Sequence, residues 1–501
     1  MKDQRRIERI RHHYKDGYRK LGQADAARLV SFDVLYQVEA EEAFANLALQ
    51  KALRLAHQEA RLDARDAAFA SELVHGTLRS QGTLDWALER HMERPVSSLD
   101  PAVRVLLRMG AHQLLGMRVP DHAAVAATMD VARIVVTDGP SRMVNAVLRA
   151  LAAEGAHQVS EALEQLPTDD ASVAVKTSHP EWMVREFRHA LSAHGYPTDE
   201  LQELLESDNR VPLVTLVARP GLISVHELAE EAEEALNTEV ARGRVSPQAV
   251  IVAGGDPARL LPVRDGRAGV QDEGSQLGAL VAVNAPTIGT DQGKWLDLCA
   301  GPGGKAALVG AVARLKGAHL VANELHPHRA RLVTRAVAPL GTTVDVVSGD
   351  GRYFGGAKTQ WPLGSFDRVV VDAPCSGMGS LRRRSESRWR RHPEDMASLI
   401  ELQQDLLDRA LQLVRLGGVV TFITCSPHRQ ETRTQVERLL KNHSVELLDT
   451  ASIAQQSASE DLHLPLQAGL VQGGGRGRTV QLWNHRNGTD FMFIASLRRT
   501  S

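Results

Sequence analysis

The stretch KWLDLCAGPGGK (294–305) decides the architecture of the larger part of this chain. Residues 294–300 read as a short apolar strand, residues 304–316 as a helix, and a glycine turn joins them. The glycines let backbone approach a ligand closely, and the helix that follows presents free N–H groups. A Walker loop is excluded: GxxxxGK would need glycine where Cys299 stands, and Lys305 is followed by Ala306. The string does satisfy G-x-G-x-x-A, with Glu324 about 20 residues further on, which is the dinucleotide fingerprint. NAD and S-adenosylmethionine both present a ribose diol to a carboxylate at the end of a second strand, and these residues alone leave both open.

Downstream the strand–helix rhythm repeats. AHLVANE (318–324), TVDVVSGD (343–350), FDRVVVDAP (366–374) and VVTFITC (419–425) read as strands. Residues 326–338 and 394–416 read as helices, the second stopped by Gly417-Gly418. TVQLW (479–483) and FMFIASL (491–497) form a closing hairpin around Asn487-Gly488. This alternation predicts an α/β, Rossmann-like domain over 286–501 whose parallel sheet the hairpin makes mixed. Ligands of such sheets bind at the C-terminal strand ends. There, Asp297 with Gly301, Glu324, Asp350 and Asp372 are expected to ring one crevice.

Upstream, residues 23–160 read as an all-α domain. Leu29, Phe32 and Tyr36 share one helical face, as do Val103, Leu106, Leu107 and Leu114. Asp100-Pro101 is an N-cap followed by proline in the first turn, and Gly155 is a stop signal. Residues 161–285 read as a linker and a small α+β domain, the polar linker itself covering 156–175. Its clearest elements are a strand in PLVTLVARP (212–220) and helices in HPEWMVREF (179–187) and HELAEEAEEAL (226–236). Residues 1–22 form a basic tail.

Composition bounds the rest. A chain of 501 residues with 43% hydrophobic and 24% charged residues is a multidomain globular protein, which excludes wholesale disorder and fibrous structure. No apolar run reaches the ~20 residues that span a bilayer, so no membrane role is expected. MKDQRRIERI lacks the apolar core of a secretory signal. Cys299, Cys375 and Cys425 are too few for a disulfide scaffold, and they predict a cytoplasmic protein. Cys425 with His428 would make half a zinc site, but no second pair exists, so no metal is expected. The formal net charge of −2 favours no nucleic-acid partner by itself. Locally, LRRRSESRWRR (381–391) sets six arginines and Trp389 against one glutamate. Such a run is commonly a solvated face, yet it also suits a phosphate backbone and a stacked base.

Cys375 and Cys425 end neighbouring strands and so point toward the same crevice. Either could be a buried structural cysteine. Two reactive thiols beside a methyl donor, however, solve a specific problem. Carbon 5 of a pyrimidine is a poor nucleophile, and a thiolate added at carbon 6 makes it enamine-like.

DLCAGPGGK, DAPCSGMGSLRRR and FITCSPHRQE closely resemble the RNA (cytosine-C5)-methyltransferases of the RsmB (Sun/Fmu) type, and VQDEGSQL (270–277) is similar to the segment before the glycine loop in that family. The helical segment resembles the NusB-like RNA-binding domain of such enzymes. The resemblance implies a class I fold that uses S-adenosylmethionine to methylate cytosine in RNA, foremost 16S rRNA; nothing in the sequence demands an oligomer, so a monomer is expected. It implies that Cys425 attacks carbon 6 and that Cys375 assists release. Cys299, Ala300, Gly301, Pro302, Gly303, Gly304 and Lys305 would hold the methionine part, Glu324 the ribose hydroxyls and Asp350 the adenine side. Asp372 would lie between cofactor and cytosine, and Lys305 would also face the base. Arg382, Arg383, Arg384, Arg388 and Trp389 would lie along the RNA, and the middle domain would help position it. Three places differ from the family pattern: Glu431 is followed by Thr432, Ser385-Glu386-Ser387 precede Arg388-Trp389, and Glu324 replaces a common Asp. A tRNA target, an NAD-dependent oxidoreductase and a non-catalytic NusB-like antitermination factor are the alternatives.

Overall fold

The computed structural model describes residues 24–58 and 62–501; the expected basic tail, 1–22, lies outside them. The chain divides into two units. One runs to Arg185 and also takes in Leu381–Arg390, and the other is Glu186–Ser380 with Arg391–Ser501.

The first unit is helical. Ala26–Glu41, Ala64–Arg79 and Pro101–Leu115 start at Asp25, Asp63 and Asp100, whose carboxylates accept the backbone N–H of Arg28, Asp66 and Ala102. Pro101 occupies the first turn, where its missing donor leaves no bond unmade. Helix Pro101–Leu115 is buried from Ala102 to Leu114 except at Arg104, so its apolar residues face several neighbours at once. Fully burying one Leu or Phe contributes about 1.5–3 kcal/mol, and Phe32, Leu73, Leu88 and Leu106 each do so here. Gly155, at φ 81° and ψ 153°, ends the helix that starts at Asp138, as its stop signal led one to expect, and a second helix follows directly and runs to Glu164. The polar stretch expected as a linker is therefore mostly helix, continued by Asp170–Thr177 under an Asp169 cap. Polarity there reflects a one-sided surface helix rather than an absence of structure.

The second unit holds two sheets. The smaller has strands β1 (Val214–Ala218), β2 (Val240–Arg242), β3 (Ala249–Val252) and β4 (Ala268–Val270), all antiparallel, in the order β2-β3-β1-β4. Helix Val225–Leu236 begins with a Ser224/Glu227 capping box and buries Leu228, Ala232 and Leu236. The larger sheet has β5 (Lys294–Asp297), β6 (His319–Glu324), β7 (Val344–Ser348), β8 (Phe366–Asp372), β9 (Val414–Thr424), β10 (Val445–Leu447), β11 (Val480–Leu482) and β12 (Met492–Arg499). Its order is β10-β12-β9-β8-β5-β6-β7, with β11 also on β12. Strands β5 to β9 are parallel, β11 and β12 are antiparallel as the closing hairpin requires, and β12 also runs antiparallel to β9, which makes the sheet mixed. The order reverses between β5 and β8, which is the switch point where such sheets bind ligands.

Gly417-Gly418 does not stop a helix. The preceding helix ends at Leu413, and both glycines lie inside β9 at an irregular register opposite Phe366 and Arg368. Gly417 has φ 74°, and a Cβ there would lie 2.8 Å from the Ile288 carbonyl oxygen, so the bulge needs glycine. Among the described residues no helix is long and apolar enough to cross a membrane.

Candidate active site

The C-terminal ends of β5 to β9 share one edge of the larger sheet. Asp297 ends β5 fully buried, and one of its oxygens accepts the Cys299 N–H at 3.3 Å. The other oxygen is buried without a hydrogen-bond partner among the described residues. Burial, with the Asp372 charge adding to it, raises the Asp297 carboxyl to about 7. Gly303 follows at φ 115°, where a Cβ would come within 2.8 Å of the Ala336 side chain. Gly301 has to be bare for a different reason: a Cβ there would lie 2.0 Å from Glu324 Oε2. Glu324, at the end of β6, accepts the His326 N–H at 2.9 Å, and Arg329 ties the Gly301 carbonyl at 2.8 Å. The carboxylate thus rests directly against the glycine turn.

Two residues that sequence reading passed over complete this half. Asn323 donates to the carbonyls of Leu298 and Gly349, both at 3.0 Å, joining the ends of β5, β6 and β7. Gln271 lies 3.6 Å from where a Gly304 Cβ would stand, with its buried carbonyl oxygen unpartnered among the described residues. Asp350, two residues beyond β7, is held by the Arg352 side chain at 2.7 Å, which lowers its carboxyl.

The other half is built by β8 and β9. Lys305, in the first turn after the glycine loop, donates to Asp372 Oδ2 at 2.9 Å. Burial would lower the Lys305 ammonium, but the Asp372 charge and hydrogen bond outweigh it and hold the group protonated. Cys375 Sγ lies 3.3 Å from Cys425 Sγ. Either sulfur can donate in this contact; with Cys375 as the donor, its S–H lowers the Cys425 thiol against its burial, and Lys305 assists. The same bond raises the Cys375 thiol, and burial adds to that. Of the two interacting thiols, Cys425 is the more readily ionised. Gly379 N–H donates to the Cys425 carbonyl at 2.9 Å, and a Cβ on Gly379 would meet that oxygen at 2.8 Å.

Beneath the cysteines lies a carboxylate that the spacing of residues did not single out. Glu431 is fully buried. Its Oε1 accepts the Ser376 N–H at 2.7 Å and the Gln403 amide at 3.2 Å. Its Oε2 accepts the hydroxyls of Ser376 and Ser426, each at 2.6 Å.

The arginine-rich segment is placed differently from the expectation. Leu381–Arg390 belongs to the helical unit. Arg388 is fully buried and donates to the carbonyls of Arg79 at 3.2 Å and Ser178 at 3.1 Å, so it is not free to lie along RNA. Trp389 packs its ring on Gly82, where a Cβ would stand 2.7 Å from it. Arg390 donates to Val38 and Ala43 carbonyls at 2.9 and 2.6 Å, and Glu386 accepts the Ala45 N–H at 3.2 Å. Carbonyls at helix ends need donors, and these guanidinium groups supply them. Arg382 and Arg383 are half-buried, while Arg384 is exposed, with its guanidinium 5.4 Å from the Phe44 ring. Among the described residues no cluster of three His, Cys, Asp or Glu is placed to hold a metal.

The chain matches the family described as 16S rRNA methyltransferase RsmB/F over residues 287–498 and the NusB family over 25–153. It is 44% identical to a putative methyltransferase of Mycobacterium tuberculosis over 95% of this chain and 97% of the relative. It is 31% identical to the ribosomal RNA small subunit methyltransferase B of Salmonella paratyphi B over 79% of this chain and 87% of that one. The crystal structure of PH0851 shares the fold, with a TM-score of 0.72 at 20% identity over 95% of this chain and 100% of that one. The unpartnered oxygens of Asp297 and Gln271 and the bare glycine turn under Glu324 suit a group with an amine, a carboxylate and a ribose diol. With its glycine cradle, its twin cysteines and its NusB segment, the chain belongs to the RsmB/F family of S-adenosylmethionine-dependent RNA methyltransferases.

Proposed function

We propose that the protein methylates carbon 5 of a cytosine in RNA through a covalent Cys425 adduct. The observation that carries this reading is the 3.3 Å separation of Cys375 and Cys425 sulfurs at the ends of adjacent parallel strands. The bound cofactor supplies an electrophilic methyl group on its sulfonium. Residues Cys299 to Lys305 hold its methionine part, Glu324 its ribose hydroxyls and Asp350 its adenine side. Cys425 thiolate forms a bond to carbon 6, and carbon 5 then takes the methyl group as S-adenosylhomocysteine leaves. Asp372 accepts a hydrogen bond from the exocyclic amine or the protonated N3, and Lys305 keeps that carboxylate in place. Loss of the carbon 5 proton, relayed through the Cys375 thiol to solvent water, expels the Cys425 thiolate and frees the product. The target base leaves its stack to reach the crevice. The names of the family and of the Salmonella relative favour small-subunit rRNA as the substrate. The NusB-family segment, 25–153, is the RNA-holding part.

The test combines transfer with trapping. Wild type, Cys425→Ser and Cys375→Ser are incubated with labelled S-adenosylmethionine and unmodified small-subunit rRNA or tRNA. Nucleosides are identified by mass spectrometry and adducts on a denaturing gel. Wild type yields 5-methylcytosine on the rRNA, Cys425→Ser yields none, and Cys375→Ser accumulates a protein–RNA adduct. Methylation of tRNA alone moves the substrate. Absence of 5-methylcytosine from both RNAs overturns the reading in favour of an RNA-binding factor.

A further inference from the structure

We infer that Glu431 is a positioning residue that locks the two cysteine loops in register, so that the sulfur-to-sulfur contact is set by one buried carboxylate. The inference rests on the two-cysteine reading above. The loops are laid out as a ladder. Cys375 faces Cys425 at 3.3 Å, and one residue further on Ser376 Oγ faces Ser426 Oγ at 3.2 Å. Glu431 joins the lower rung, taking a hydroxyl from each loop and the Ser376 backbone N–H besides. Gln403 extends the tie: its amide donates both to Glu431 and to the Pro374 carbonyl at 2.8 Å, just before Cys375.

Two features argue that this is more than packing. First, among the described residues no ion pair neutralises Glu431. A buried carboxylate without a cation is expensive and persists only when its lone pairs are filled. Here four donors fill them. Second, its charge opposes ionisation of Cys375 and Cys425 alike. A carboxylate that works against both thiolates, yet is seated beneath them, contributes through geometry. The groups that face Cys425 are Cys375, Asp372, Lys305 and Glu431. Of these, Glu431 is the one bonded to both loops.

The opposition between charge and geometry gives the test a sign. Glu431→Gln removes the charge but keeps the size. If only its charge mattered, Cys425 would ionise at lower pH in the variant. If it aligns the Cys375 S–H with the Cys425 sulfur, the midpoint moves to higher pH, because a thiolate loses its donor. The rate of Cys425 carboxamidomethylation by iodoacetamide is followed from pH 6 to 10 by peptide mass spectrometry, in the full chain with S-adenosylhomocysteine affinity as the folding control. The expected result is an upward midpoint, with methyl transfer reduced about 100-fold, as a misplacement of about 1 Å produces. Ser426→Ala removes one donor and shifts the midpoint the same way by less; it serves if Glu431→Gln does not fold. A midpoint that stays or falls in the folded variant overturns the inference, whatever the turnover. The alkylation needs no RNA. A wild type that makes no 5-methylcytosine therefore refutes the cytosine reading while leaving the ladder to be judged by its own shift.

Discussion

The two halves of the strand-end edge are built on opposite plans. Around β5, β6 and β7 the acids are left with something to do: Asp297 keeps an oxygen unpartnered, and Glu324 lies against a glycine turn cleared of side chains. Around β8 and β9 the charged side chains are tied down, from the Lys305–Asp372 pair to the four donors on Glu431, although Thr424 Oγ1 and Gln403 Oε1 stay unpartnered among the described residues. On the proposed function the first half receives the cofactor and the second half reacts, its charged side chains fixing one another so that little reorganises during chemistry. Binding and reaction are thereby separable by mutation.

Cys425→Ala breaks the comparison most severely. It should lower methyl transfer by about 10⁴-fold or more while leaving S-adenosylhomocysteine affinity unchanged, as read by calorimetry and single-turnover assay. A matching loss of affinity would mean that the halves are one. Glu324→Ala is the mirror case. Losing charge-assisted hydrogen bonds worth about 1.5–3 kcal/mol should weaken S-adenosylhomocysteine about 10- to 100-fold, with the iodoacetamide rate of Cys425 unaltered. Gly301→Ala tests the cleared turn. The new Cβ would stand 2.0 Å from Glu324 Oε2, so the carboxylate must swing away, and the dissociation constant should rise about tenfold. Unchanged binding would show that Glu324 does not reach the ligand. The smallest effect is expected for Cys375→Ala. Removing the S–H that stabilises the Cys425 thiolate raises the Cys425 midpoint, so alkylation near neutral pH slows by a few-fold and converges with wild type at high pH. A faster rate would reverse the assignment of donor and acceptor.

How far the sequence carried the structure depended on whether each signal was local. β5, β6, β7 and β8 are apolar runs closed by glycine or an acid, and their ends lie within three residues of their expected places. The twin cysteines could be brought together because adjacent parallel strands put their ends side by side. Gly417-Gly418 misled because glycine serves equally as a helix stop and as a β-bulge, and only pairing with β8 distinguishes the two. β2, β4 and β10 have three residues each, too few for alternation to register. Glu431 was visible only as a neighbour of Thr432; its meaning comes from two loops that meet in space. Arg388 failed in the same way. A guanidinium group binds phosphate or caps carbonyls with equal ease, and the deciding acceptors, on Arg79 and Ser178, are hundreds of residues away.

The loan of Leu381–Arg390 to the helical unit has a genetic consequence. A helical unit ending at Arg185 would lack the arginine that fills its interior, and a catalytic part starting at Glu186 would carry a segment shaped for an absent host. Recombination that swaps NusB-type domains between such genes would have to move two separate stretches of coding sequence together. The two parts are therefore heritable as a pair, and substitutions at Glu386, Arg388 and Arg390 are constrained by what stands around Val38, Ala45 and Arg79.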